Sequence, residues 1–150
     1  MKRLELSGGE ALQDRLKEIM QKAGKAGVLR VGFLEGSTYP DGTSVPMVAA
    51  IQNFGAPAAG IPARPFFSNM VREKSPKWGE SLGNLAKAND YDIDQTLGQM
   101  GEAIKDQLQA SIRDFDSVPL APGTVASKGF DKQLIDTGHM QNSVGFEVKS

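Results

Sequence analysis

The chain contains no cysteine and one histidine, and its positive and negative charges almost cancel; each of these shortages removes a class of function. Without cysteine there are no disulfides, no thiolate nucleophile and no Cys-ligated zinc. His139 is the only histidine, so a Ser-His-Asp arrangement must run through it, and a His-rich metal site is impossible. Seventeen basic against eighteen acidic side chains leave −1, which gives no footprint for a nucleic-acid duplex or an anionic membrane. No apolar stretch approaches the roughly 20 residues of a membrane span. After Met1, Lys2 and Arg3 come Leu4, Glu5 and Leu6 rather than the apolar run of a signal peptide, so the expectation is a protein made and kept in a cytoplasm.

Loops that cradle phosphate are missing too: neither G-x-x-x-x-G-K-[ST] nor G-x-G-x-x-G occurs. The turn at Asp41-Gly42 lacks the alternating oxygen ligands of a calcium loop. Asp136 and His139 stand three apart beside a glycine, a turn spacing as readily as a catalytic pair, and no nucleophile elbow is expected to serve them. Residue chemistry therefore points away from an enzyme and calls for no metal or cofactor.

What is present reads as a single domain of 150 residues. Ser7 and Glu10 have the spacing of a capping box, followed by an amphipathic stripe of Leu12, Leu16, Ile19, Met20 and Ala23 that stops at Gly24 or Gly27. Residues 28–34 read as a strand with Val31 and Phe33 on one side. Tyr39-Pro40-Asp41-Gly42 has the residue order of a type I turn. The spacing then predicts a short helix from Pro46 with Val48, Ile51 and Phe54 facing inward, ended by Asn53 or Gly55.

A loop with Pro57, Gly60 and Pro62 leads to Arg64 and to Pro65 at a first helical position. Phe66, Phe67, Met70 and Val71 supply one apolar face of a helix expected to break at Ser75-Pro76 and to restart with Trp78, Leu82 and Leu85. Beyond Asn89 to Asp92, which offer caps, Ile93, Leu97, Met100, Ile104, Leu108, Ile112 and Phe115 mark the clearest helix. Gly98 and Gly101 inside it suggest close approach by another element. Residues 116–136 carry no periodicity and read as a long Pro/Gly-rich loop. Val144, Phe146 and Val148 alternate as in a half-buried strand. With 17 glycines and 8 prolines, much of the chain is expected in loops. The fold class is α+β: a small mixed or antiparallel sheet, made by residues 28–34 and the C-terminal strand, packed against the Leu97 to Phe115 helix.

Taken in order, several short pieces resemble one family. They are Val31-Gly32-Phe33; Tyr39-Pro40-Asp41-Gly42; Val48 through Asn53-Phe54-Gly55; Ile61-Pro62-Ala63-Arg64-Pro65-Phe66-Phe67; Pro119-Leu120-Ala121-Pro122-Gly123-Thr124 with Lys128; and Leu134-Ile135-Asp136-Thr137-Gly138-His139-Met140-Gln141-Asn142-Ser143-Val144. The set is similar to the tail-completion proteins of long-tailed bacteriophages, the group that includes the minor tail protein Z of lambda-like phages. The resemblance implies a non-catalytic virion protein that finishes the head-proximal end of the tail and joins it to the head. Its implied form is a homo-oligomeric ring such as a hexamer, assembled in the host cytoplasm and then carried in the tail or neck. Implied partners are other copies, other tail and neck proteins, and DNA only as it passes through a channel. The interaction or fold-defining positions it marks are Phe54, Gly55, Arg64, Pro65, Phe66, Phe67, Asp136, Thr137 and Gly138. Where that family often carries an acidic residue before Phe-Gly, this chain has Asn53, which leaves a salt bridge from there to Arg64 unsupported. The alternatives are a transient capsid or tail assembly chaperone and a small hydrolase using Asp136 and His139.

Overall fold

A computed structural model describes residues 9–24, 27–115 and 138–149. Ser7, the 116–136 loop, Asp136 and Thr137 lie outside the described residues. In order, the elements are α1 (Gly9–Ala23), β1 (Val28–Phe33), α2 (Val45–Phe54), a 3-10 turn (Pro57–Ala59), α3 (Phe66–Ala88), α4 (Ile93–Asp114), the single turn α5 (His139–Asn142) and β2 (Val144–Lys149). The α+β expectation holds, with the sheet reduced to one antiparallel pair of strands.

Helix α4 is the element on which the others lie. Its predicted stripe is the core: Leu97, Met100, Ile104, Leu108 and Ile112 are buried, with Phe115 just beyond the last turn. Each such side chain withdrawn from water contributes about 1.5–3 kcal/mol. Asp92 caps the helix by accepting the Gln95 amide at 3.0 Å, and the Thr96 hydroxyl donates to the Asp92 carbonyl at 2.6 Å. One face of α4 takes α3 and the other takes the strand pair. Leu29 pairs with Val148, Val31 with Phe146 and Phe33 with Val144, which puts the alternating apolar residues of both strands toward the helix. On the outer side Arg30 meets Glu147 at 3.3 Å, an exposed pair of small energetic value.

Of the two glycines inside α4, only Gly101 marks a close approach. A Cβ there would lie 2.4 Å from the Phe146 ring, whereas nothing stands within 4 Å of one on Gly98. The sequence could not separate the two, because the partner ring comes from the far end of the chain.

Helix α3 corrects two expectations. It runs unbroken for 23 residues through Pro76 instead of stopping at Ser75. Proline removes one backbone bond, but Pro76 is exposed, and the apolar residues on both sides of it pack on the same α4. Trp78, half-buried, also donates its indole N–H to Gln107 at 2.8 Å, and the Ser111 hydroxyl donates to the Phe66 carbonyl at 2.6 Å. Helix rather than loop dominates the described residues, because Gly79, Gly83, Gly98 and Gly101 all sit inside α3 and α4.

Helix α1 buries no side chain, so its stripe does not join the core as an amphipathic helix ordinarily would. It is held by charge. Asp90, in the left-handed turn between α3 and α4 (φ 52), accepts from Arg15 and from Lys22, the latter at 3.0 Å. Glu18 bridges the same two cations at 3.0 and 3.1 Å. The Arg15 hydrogen bond, and then that of Lys22, lowers the Asp90 carboxyl from its ordinary 3.8 to about 2, and Arg15 does the same in direction for Glu18. For a lowered carboxyl the contribution to folding is complete above the ordinary value and fades as pH falls toward the folded one. Amide protection in α1 is therefore expected to stay constant from neutral pH to about 4 and to fall between about 4 and 2. Asp90→Asn should lower it already at neutral pH while leaving α4 unchanged. Hydrogen exchange resolved by element checks both, and equal α1 protection in all three cases would contradict the charge-held attachment.

Candidate interaction site

The corner where α2 meets α3 collects most of the residues marked by the family resemblance. Ser44 starts α2 by accepting the Met47 amide at 3.3 Å, with Pro46 in the first turn. Gly55 ends it at φ 74, and its amide donates to the Ile51 carbonyl at 2.7 Å. A Cβ on Gly55 would come within 2.7 Å of the Ala63 nitrogen, so both the conformation and the space require glycine. The following loop closes on itself: Ala56 and Ile61 exchange backbone bonds at 2.9 and 3.1 Å, and Gly60 takes a left-handed φ of 71. It then returns to α2 through the Arg64 amide, which donates to the Gln52 carbonyl at 2.6 Å.

Asn53 does something the sequence reading did not assign to it. It is buried, 5 % exposed, in the last turn of α2. Its side-chain oxygen accepts from the Phe67 and Ser68 amides at 3.1 and 3.0 Å, and its nitrogen donates to the Ser68 hydroxyl at 2.9 Å. Those two amides begin α3, where Pro65 occupies the cap position and offers no side-chain acceptor. Asn53 is thus the N-cap of α3, supplied from another helix. An acidic residue at this position would serve the same two donors. Arg64 pairs instead with Gln52, Nη1 to Oε1 at 3.1 Å, while its Nε is buried with no hydrogen-bond partner among the described residues.

The marked residues separate by environment. Phe66 is fully buried and meets Phe33 edge to face, with ring centroids 6.1 Å apart; Phe67, half-buried, stands at 6.4 Å from Phe66 in the same way. Pro65 stands one residue before the helix, its carbonyl accepting from Asn69 at 2.9 Å, rather than at the first helical position. Phe54 corrects its expectation outright. It is 74 % exposed, since the inward positions of α2 are Val45, Ala49 and Asn53, and the helical repeat then turns Phe54 away.

Met47, Ala50 and Phe54 form the outward face of α2. Ala50 and Phe54, with Pro46, border an apolar depression of about 240 Å³ floored by Phe33, Ala49, Phe66 and Phe67. The signal was present in the sequence: ten residues of α2 contain no charge, so whichever way the helix turns, water meets an apolar surface.

At the other end of the chain, Gly138 adopts a left-handed φ of 65 ahead of α5. His139 Nε2 lies 2.6 Å from the Thr38 carbonyl, so that nitrogen carries the proton and donates, and the ring lies over Tyr39 with centroids 5.2 Å apart. The Ser143 carbonyl accepts from Leu34 at 3.0 Å, which passes this tie to the strand pair. Gly79-Glu80-Ser81-Leu82-Gly83 does spell the G-x-S-x-G spacing that was not expected, yet it lies in mid-α3, not at the strand-to-helix turn of a nucleophile elbow. Among the described residues no group of three or more acidic or histidine side chains is arranged to hold a metal, and no helix is long and apolar enough to cross a membrane.

Removing the shared cap tests the corner. Asn53→Ala leaves two helix-start amides without acceptors and is expected to cost about 1–3 kcal/mol. Asn53→Asp keeps an acceptor and should lose clearly less. Urea unfolding measures both; an alanine variant as stable as the parent would contradict the assigned cap.

Comparison with protein-family models, with curated proteins and with solved structures finds no match to this chain.

Proposed function

We propose that the chain is a bacteriophage or prophage virion protein that completes the head-proximal end of the tail and helps join it to the head, as a ring of identical subunits. The observation that carries this reading is the outward face of α2. Ala50 and the exposed Phe54, with Pro46, edge an uncharged depression at the very segment, Phe54-Gly55 through Arg64-Pro65-Phe66-Phe67, where the chain resembles tail-completion proteins, and Met47 extends the exposed face beside it. Apolar surface gathered in this way marks an interaction site. The residues behind it, Gly55, Asn53 and Phe66, hold the surface in one shape, which is what a protein that must repeat an identical contact requires. A charge of −1 suits a subunit lining a passage that DNA crosses without being gripped.

Mass spectrometry of purified particles, induced from the source strain, tests the proposal. The expected result is this chain at a fixed low copy number, of the order of a ring. Its absence from finished particles, despite expression in the cell, would overturn the proposal and favour a transient assembly chaperone.

A further inference from the structure

Two helix faces of this chain are apolar, exposed and without a partner among the described residues. The first is on α1, where Leu12, Leu16 and Met20, spaced four apart, are 61, 49 and 70 % exposed. The second is the face of α2 at Met47, Ala50 and Phe54, with its depression. One projects and the other is hollow.

Neither face is a loose end. Helix α1 is fixed by Arg15 and Lys22 at Asp90, with Glu18 bridging those two cations, and Gly27, just after it, lies against Ile93 and Leu97. At 100° per residue, the stripe of Leu12, Leu16 and Met20 lies about a third of a turn from those anchoring side chains, so the anchor leaves it facing out. Helix α2 is fixed by Asn53 at the start of α3.

The anchors also set the distance between the faces. Helix α2 is attached at Phe67 and Ser68, the first turn of α3, while α1 is attached at Asp90, two residues past its end. A helix of 23 residues is about 34 Å long, so the two faces stand at opposite ends of the α3/α4 pair and cannot cover each other within one chain.

We infer that they cover each other between chains: the Leu12, Leu16 and Met20 stripe of one copy seats on the Met47, Ala50 and Phe54 face of the next. This rests on the proposed ring and names its contact. The depression of about 240 Å³ compares with the roughly 150 Å³ apolar cavity that takes a benzene-sized group, so it accommodates one or two side chains such as Leu16. Its lining is apolar apart from Asn53 and Ser68, which already bond to each other, so it suits an uncharged stripe and would penalise a charged peptide. Helix α1 supplies such a stripe, with Gln13 and Lys17 beside it for the wet rim. A second copy is the occupant that satisfies both faces at once. Because the two faces are different and lie at opposite ends, the contact is head-to-tail, the kind that propagates from copy to copy and forms a ring when the rotation between copies closes.

Two one-sided variants test this, Leu16→Asp on α1 and Phe54→Asp on α2, with Met20→Asp and Met47→Asp as second choices for the same faces. All four positions are exposed, and circular dichroism with thermal melting checks that each variant folds like the parent. Native mass spectrometry of the full chain should give an oligomer for the parent and monomer for each variant alone. An equimolar mixture of the two should give a dimer that grows no further, since it pairs the one intact stripe with the one intact hollow. A parent that stays monomeric, an oligomer that survives either variant, or a mixture that stays monomeric overturns the contact; a monomer destabilised by Leu16→Asp would show the stripe covered within its own chain. These results are separable from the proposed function. Chain found at ring-like copy number in particles, with the mixing test failed, keeps the function and rejects the contact, and the reverse outcome keeps the contact and rejects the function.

Discussion

Pro65 brings no side-chain acceptor to the start of α3, and the amides of Phe67 and Ser68 would stand without partners there if Asn53 did not reach them from α2. That constraint governs the corner. Because one buried carboxamide caps a helix it does not belong to, α2 cannot roll or slide relative to α3 without breaking three hydrogen bonds. With Asn53 turned in, Val45 and Ala49 follow it into the core on the helical repeat, and Met47, Ala50 and Phe54 are forced out. The exposed phenylalanine is thus a consequence of the cap.

The opposite end of the α3/α4 pair is built on a different principle. There the fold holds α1 by ion pairs and hydrogen bonds to Asp90 rather than by burial, which leaves the apolar stripe of α1 unused. The rigid helix pair between the two ends is stabilised by ordinary packing: the α4 stripe, Phe66 and Met70 from α3, and the inner residues of the strand pair. A stable centre carrying one projecting and one hollow apolar face is consistent with a subunit whose surface is completed by its neighbours.

Much of the centre could be read from the sequence, because its signals are local and periodic. The seven-residue stripe from Ile93 to Phe115, the strand at Val28 and the alternation of Val144, Phe146 and Val148 each carry their own period, and all three elements form where expected. What escaped depends on contacts between distant residues. Pro76 reads as a stop until α4 is seen to bind the helix on both sides of it. Gly101 and Gly98 look alike until Phe146 arrives at one of them. Phe54 reads as inward on the three-residue spacing from Val48 and Ile51, and with apolar residues spread round α2 the repeat alone does not choose a face; Asn53, a polar residue that turns inward for a partner fourteen residues away, makes the choice. At the candidate site the residue types were legible while their roles were not: Phe66 is buried, Gly55, Arg64, Pro65 and Phe67 are half-buried, and of the marked residues there Phe54 alone is fully exposed.

The account stands or falls on what covers Phe54 in the assembled state. The most direct measurement replaces Phe54 with a photo-crosslinking phenylalanine analogue, irradiates the assembled protein and identifies the joined peptides by mass spectrometry. The account predicts a crosslink to the Leu12–Met20 stretch of a second copy. Crosslinks confined to the same chain, or to a different region of the neighbour, would contradict it.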